Sequence, residues 1–417
     1  MKMGPGDPLS VALRWDAETF QPVGRLAYRD RLAYLEYDAG FLASGLDLSP
    51  VHDGPAPGLV TPQDPHVFEG LHGLFADSLP DGWGRLLLDR RARQLGVDPA
   101  ALTPLDRLAC VGETGVGALV YAPAVEVWDG AGEALDLDRL ARDARRVLQG
   151  DAGEVVAELG RVGGSPGGAR PKALIALSPD GEARHGVIET PQEFTPYLVK
   201  FRGEDDPADI AAVEQAYAQM ARGAGLRISE TRLIAGTDGR RYFATRRFDR
   251  EAGSRLHVRS ASGLLYADSR LPSLDYRELI RLTRHVTRDR REGAQMYRLA
   301  VFNVLAHNRD DHARQFSFLM DREGVWRLAP AYDLTCADGS GGEHATSVMG
   351  AGREVRRETL LTLAREADMG GPEAEAVIDQ VAAALDAWPT HAEEAGVSTG
   401  TREAVAARLA AARSALA

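Results

Sequence analysis

The feature that most limits what this chain can fold into is a pair of acidic positions on either side of a hairpin. The stretch "NVLAHNRDDHARQFSFLMD", residues 303–321, sets Asp310 four residues before Gln315. Alternating apolar residues in "FSFLM" and "VWRLA", turning at "DREG", then specify two short antiparallel strands. The chain leaves the second strand through "APAYDL", which carries Asp333. Because a hairpin returns the chain to where it began, the carboxylates before and after it can point into one cleft.

Protein kinases use this order: a catalytic Asp, four residues, an Asn that binds metal and, beyond a hairpin, an Asp that binds magnesium. Phosphoryl transfer needs one carboxylate to orient and deprotonate the acceptor hydroxyl, and another to hold the cation that offsets charge on the transferred group. Asp310 then reads as the base, Asp333 as the principal metal ligand and Gln315 as a second ligand through its amide oxygen. Two other readings compete. The acidic residues can form a solvated loop, or His307, Asp310, Asp311 and His312 can form a hydrolytic metal centre. Against the latter, adjacent carboxylates seldom reach one ion from a regular element.

The chain has 417 residues, 44% of them apolar and 26% charged, enough to bury a large core and more than a single domain usually holds. A formal charge of -12 argues against strong intrinsic nucleic-acid binding, which needs a net basic face. Cys110 and Cys336 are far apart and lack metal-ligand spacing, which suits a reducing cytoplasm. The N-terminus "MKMGPGDPLSVALRW" has no long apolar stretch before a small-residue cleavage site, and no run of eighteen apolar residues occurs, so secretion and membrane spanning are not expected.

Three segments differ in pattern. Residues 1–150 begin with short β-branched and aromatic runs, "SVALRW", "VGRLAY" and "LAYLEY", which predict a small antiparallel sheet. Helical spacing follows in "LHGLFADSLPDGWGRLLLDRRARQL", where Pro80 and Asp81 start a helix and Trp83 packs behind it. Residues 151–255 run from a glycine-rich loop into the strands "ALIAL" and "PYLVKF", the helix "IAAVEQAYAQMARGAGL", and two more strands, "SETRLIAG" and "RYFATRRF". Residues 256–417 are mainly helical apart from the hairpin.

The second segment also carries nucleotide-binding candidates. "GGSPGGARPK", Gly163 to Lys172, can aim successive backbone N–H groups at an anion, or it can be a linker, since it matches neither G-x-G-x-x-G nor the Walker pattern. Lys200 interrupts an apolar strand, where an unpaired ammonium would be costly to bury. It is either an outward-facing edge residue or the lysine that meets nucleotide phosphates and a helix carboxylate, with Glu214 as the candidate. Glu214 could equally be a solvated helix residue. "RYFATRRFDR" would lead to the interlobe hinge, with Phe248 covering an adenine or filling the core.

Taken in order, "FADSLPDGWGRLLLDR", "SPGGARPK", "YLVKF", "RRFDR", "NRDDHARQFSF" and "AYDL" resemble the HipA-like serine/threonine kinases, toxins of bacterial toxin–antitoxin pairs, over most of the chain. The resemblance implies an α+β, two-lobed protein-kinase-like fold with an additional N-terminal α+β subdomain and an all-helical C-terminal lobe. It implies ATP and Mg2+ as cofactors, a protein substrate such as an aminoacyl-tRNA synthetase, a HipB-like DNA-binding antitoxin as partner, and DNA contact only through that antitoxin. Carried over by position, Asp310 is the catalytic base and Asp333 the magnesium ligand. Gly167, Gly168, Ala169, Arg170, Pro171 and Lys172 form the phosphate loop, Lys200 is the nucleotide lysine, and Arg246, Arg247 and Phe248 form the hinge. His312, Gln315 and Tyr332 join the nucleotide and metal site. Ser165 corresponds to an autophosphorylation site whose modification expels the loop, since a phosphoserine would repel ATP phosphates. Two positions depart from the family pattern: Gln315 replaces an Asn, and Arg246 replaces a hinge carboxylate.

Overall fold

Alternation in the first strands becomes a half-buried sheet in the computed structural model, which describes residues 2–3, 7–128, 134–150, 153, 155–163, 167–186, 188, 190, 193–237, 239–251 and 253–416. Leu9, Val11 and Leu13 of β1 (Leu9–Arg14) face the core and are almost fully buried. β1 pairs with β2 (Phe20–Arg29), and β3 (Leu32–Tyr37) follows before the short helix α1 (Ala39–Ser44), which Asp38 caps at its N-terminus. β4 (Leu59–Val60) edges the sheet, and the chain then forms α2 (Gly73–Ala76), α3 (Gly82–Gln94) and α4 (Pro104–Val111) before β5 (Leu119–Ala122). The antiparallel order is β4-β3-β2-β1-β5. α4 starts on a reciprocal capping box between Thr103 and Asp106, with Pro104 in its first turn. The expected helix α3 forms but starts at Gly82, with Pro80 outside it and Asp81 at the N-cap position making no capping bond to its own helix.

Two helices, α5 (Leu137–Leu148) and α6 (Val155–Gly163), precede the second sheet. Its strands are β6 (Lys172–Leu177), β7 (Ala183–His185) and β8 (Thr195–Lys200), then, after helix α7 (Ile210–Gly223), β9 (Thr231–Ala235) and β10 (Arg241–Arg246). The order is β7-β6-β8-β10-β9. Every residue of β6 is buried. Its apolar side chains share a core with Trp83 and Leu87 of α3 and with α5 and α6, so part of the N-terminal subdomain walls this lobe. α7 packs on β9 and β10 but turns Val213, Tyr217 and Met220 to the core of the helical lobe.

The remaining chain passes through the hairpin β11 (Arg250–Glu251) and β12 (Ser254–Arg255) to β13 (His257–Ser260), α8 (Ala261–Leu265), β14 (Leu274–Asp275), α9 (Tyr276–Thr287) and α10 (Arg290–Leu305). The expected hairpin forms as β15 (Ser317–Met320) and β16 (Trp326–Leu328), and β13 joins it to give the order β13-β15-β16. β17 (Thr346–Ser347) pairs with β14, and α11 (Arg357–Ala364), α12 (Gly371–Leu385), α13 (Trp388–Ala395) and α14 (Thr399–Ser414) complete a mainly helical lobe. Arg259, fully buried, donates to the Gly73 carbonyl at 2.7 Å, and Asp77 accepts the Ser260 backbone N–H at 2.8 Å. These bonds fix the N-terminal subdomain to β13, which pairs with the hairpin that follows the acidic segment. Cys110 and Cys336 are free thiols. Among the described residues no helix is long and apolar enough to cross a membrane.

Candidate active site

Beyond the end of α10 the acidic segment divides its ionisable side chains among different neighbours. Asp311 is fully buried and accepts hydrogen bonds from Tyr276 Oη and His344 Nδ1, both at 2.8 Å, and from the Thr346 backbone N–H at 3.2 Å. It anchors the segment to the helical lobe. Asp310 is exposed and makes no hydrogen bond or ion pair among the described residues. Its partly desolvated carboxyl, close enough to Asp333 to feel that charge, has its pKa raised from the ordinary value, while the His312 charge pulls the other way. His307 bonds Asp338 at 3.0 Å, and His312 Nδ1 accepts the Arg314 backbone N–H at 3.3 Å. His307, Asp310, Asp311 and His312 therefore do not gather round one ion. Among the described residues, no group of three or more His, Cys, Asp and Glu is placed to hold a metal.

Asp333, beyond the hairpin, lies in the left-handed region at φ 56°. Gln315 Nε2 donates to its Oδ2 at 3.0 Å, and Lys200 Nζ bonds its Oδ1. Lys200 also donates to Glu214 Oε1 at 3.0 Å, so one ammonium at the end of β8 joins a helix carboxylate to a helical-lobe carboxylate. Arg170 pairs with Glu214 at 3.4 Å and Asp206 at 2.9 Å. Burial alone would raise Asp333, but the charges of Lys200 and Lys172 and the bonds from Lys200 and Gln315 hold it well below the usual carboxylate range. Burial likewise opposes the Lys200 charge, yet Asp333 and Glu214 keep its pKa above the ordinary value. For Glu214, desolvation dominates and raises it. For Lys200 and Asp333 the partner charges outweigh the burial that opposes ionisation.

The segment from Gly167 to Lys172 folds beside this triad. Lys172 is buried and its Nζ donates to the Gly167 carbonyl, with burial lowering its pKa. Phe201 N–H donates to the Pro171 carbonyl at 2.8 Å, fixing the loop end to β8. Gly168 sits at φ 100°, a conformation side chains rarely adopt, and a Cβ there would lie 2.6 Å from Lys172 Nζ. Ser165 lies outside the described residues.

Two family models account for most of this architecture: the HipA N-terminal domain over residues 17–122 and the HipA-like C-terminal domain over residues 164–388, the latter more than half the chain. The chain belongs to the HipA-like family. Its fold matches that of HipA from Shewanella oneidensis MR-1, solved with HipB and its operator DNA, at a TM-score of 0.69 and 15% identity, covering 98% of this chain and 96% of that one. The fold is thus the α+β fold of HipA, with the additional N-terminal subdomain. The Helicobacter pylori proinflammatory kinase CtkA aligns at a TM-score of 0.37 and 13% identity, over 53% of this chain and 88% of that one. No curated protein matches the sequence significantly.

In this HipA-like chain the hinge candidates separate. The exposed Arg246 ends β10, its backbone N–H bonded to the Glu230 carbonyl at 2.8 Å. Arg247 is buried and its guanidinium binds Asp249 at 2.9 and 2.7 Å, so its side chain is already committed. The Phe248 ring lies 5.5 Å from that of Tyr332, whose hydroxyl reaches Ser317 at 2.7 Å and the Arg314 carbonyl. This aromatic pair joins the residues that follow β10 to the segment carrying Asp333.

Sequence reasoning passed over three contributors. Asp338, held by Arg408 of α14 at 2.8 and 2.9 Å, supports His307 at the start of the acidic segment. Arg314, between Asp310 and Gln315, pairs with Asp81 of the N-terminal subdomain. Asp81 in turn accepts the Gly168 backbone N–H at 2.7 Å. The only signal for Asp81 was its place in "LPDGWG", where a helix start explained it sufficiently.

Proposed function

We propose that this HipA-like protein is an ATP- and Mg2+-dependent serine/threonine-protein kinase, the toxin of a toxin–antitoxin pair restrained by a HipB-like DNA-binding antitoxin. The observation that supports it best is the Lys200 ammonium bonded to both Glu214 and Asp333 beside the Gly167–Lys172 loop, with an unengaged Asp310 at the cleft. A triphosphate entering there meets Lys200, Lys172 and Arg170, whose charges offset its own. Asp310 accepts the proton of the acceptor hydroxyl, and its raised pKa makes it a stronger base than an ordinary aspartate. Asp333 and the Gln315 amide oxygen are hard oxygen donors suited to Mg2+, and bound Mg2+ would supply charge stabilisation at the phosphoryl oxygens. The acceptor is a protein hydroxyl, with Ser165 a second acceptor on the same chain.

The test uses purified protein, labelled ATP and Mg2+. Label is expected in Ser165 and in a protein substrate, and Asp310→Asn is expected to reduce transfer by at least about a hundredfold, general-base catalysis being worth 10²–10⁴-fold, while nucleotide binding persists. Nucleotide binding with no label in any protein would remove the kinase assignment. A pseudokinase that holds an antitoxin complex would then be favoured, with Gln315 donating to Asp333 through its nitrogen at 3.0 Å as the supporting observation.

A further inference from the structure

The segment Gly167–Lys172 is held not only by its own lobe but also, at Gly168, by the N-terminal subdomain. Gly168 uses both its backbone groups there: its N–H donates to Asp81 Oδ1 at 2.7 Å and its carbonyl accepts the Trp83 N–H at 3.0 Å. Gly82 lies at φ 41° against this carbonyl, and a Cβ added to it would collide with the Gly168 backbone. Asp81 Oδ2 meanwhile pairs with Arg314, in the segment between Asp310 and Gln315. One carboxylate, 29% exposed, thus bridges the phosphate loop and the helical-lobe segment that carries the base.

The arrangement leaves a specific set of donors. Pro171 has no N–H, and among the described residues neither Ala169 nor Arg170 donates its backbone N–H to another group. With Gly168 turned toward Asp81, these two amides remain for an anion next to Lys172 and Lys200. We infer that Asp81 is a positioning residue: by gripping Gly168 and Arg314 together, the N-terminal subdomain sets the phosphate loop in its nucleotide-accepting shape and couples it to the catalytic segment. Asp81 would act through the loop rather than touch the phosphates itself. In its kinetic arm this inference rests on the nucleotide site proposed above; its structural arm does not.

The experiment compares the native chain with Asp81→Ala, Asp81→Asn and Arg314→Gln. Without nucleotide, hydrogen exchange of peptides covering residues 167–172 is expected to accelerate roughly tenfold or more in Asp81→Ala, since a charge-assisted bond is lost. With ATP, KM or Kd is expected to rise about ten- to a hundredfold in Asp81→Ala, with kcat changing less. Asp81→Asn keeps an oxygen for the Gly168 N–H but no charge for Arg314, so its loop exchange should stay near native while ATP affinity falls partway. Unchanged exchange and unchanged ATP affinity in Asp81→Ala would overturn the inference. So would tighter ATP binding, because the carboxylate would then be competing with phosphate. If Asp81→Ala does not fold, Asp81→Asn and Arg314→Gln decide, both being required to weaken ATP binding by several-fold or more. Should native protein bind no ATP at all, the proposed function fails, and the exchange arm alone still accepts or rejects the clamp.

Discussion

Replacing Lys200 with methionine tests the buried charge network directly, because Met keeps most of the side-chain volume and deletes only the ammonium. The Lys200 and Glu214 side chains are 11% and 4% exposed, and the ammonium meets Glu214 at 3.0 Å and also bonds Asp333. Without it Glu214 retains, among the described residues, Arg170 at 3.4 Å, and Asp333 retains the neutral Gln315 amide and the more distant charge of Lys172. Breaking a buried pair by removing one partner costs roughly 3–5 kcal/mol, since the remaining charge stays desolvated. Denaturant unfolding followed by tryptophan fluorescence should show a loss of that size at pH 7. The loss should shrink as pH falls. Glu214 already has a raised pKa, and Asp333, once freed from Lys200, joins it, so the folded variant binds protons that the unfolded chain does not. Adding Glu214→Gln to Lys200→Met should recover part of the stability, making the double change milder than the sum of the single ones. A loss below about 1 kcal/mol at pH 7, or a loss of the same size at pH 5, would refute the claim that these charges depend on one another in a dry site.

Two further outcomes are open to measurement. His257 is buried, bonds the Leu48 carbonyl at 3.1 Å and is held neutral by burial and the Arg259 charge, its pKa lowered to about 3. Stability tied to the neutral ring is complete above the unfolded value near 6.5 and is lost as pH falls from there toward 3, by at most about 5 kcal/mol. His257→Gln should flatten that decline in melting temperature, and an unchanged slope would exclude the imidazole as its source. Gln315→Asn should change phosphotransfer by no more than about tenfold, ~1.4 kcal/mol of barrier, because the amide oxygen donor is kept. Activity appearing only in the Asn variant would instead identify the native chain as a pseudokinase.

Much of the fold was written locally. Strands with period-two burial such as β1, the hairpin of β15 and β16, and the helix α7 followed patterns that any short window of the chain displays. Lys200 and Glu214 were legible because a lysine in an apolar strand needs a partner, and the next helix offered a carboxylate. The third strand of the hairpin sheet, β13, was not: "HVRS" is too short to announce itself, and pairing with β15 is what extends it.

By itself the sequence determined the order of chemical groups: a glycine loop, a strand lysine, a helix carboxylate, and two aspartates astride a hairpin. Only the tertiary structure decided which of the adjacent residues Asp310 and Asp311 is buried and which is left exposed, that Arg247 is committed to Asp249, and that Asp81 grips a loop 87 residues away. The physical reason is that periodicity assigns faces only within regular elements. In irregular segments a side chain turns toward whichever distant partner best satisfies its charge, and that partner exists only once the chain has folded.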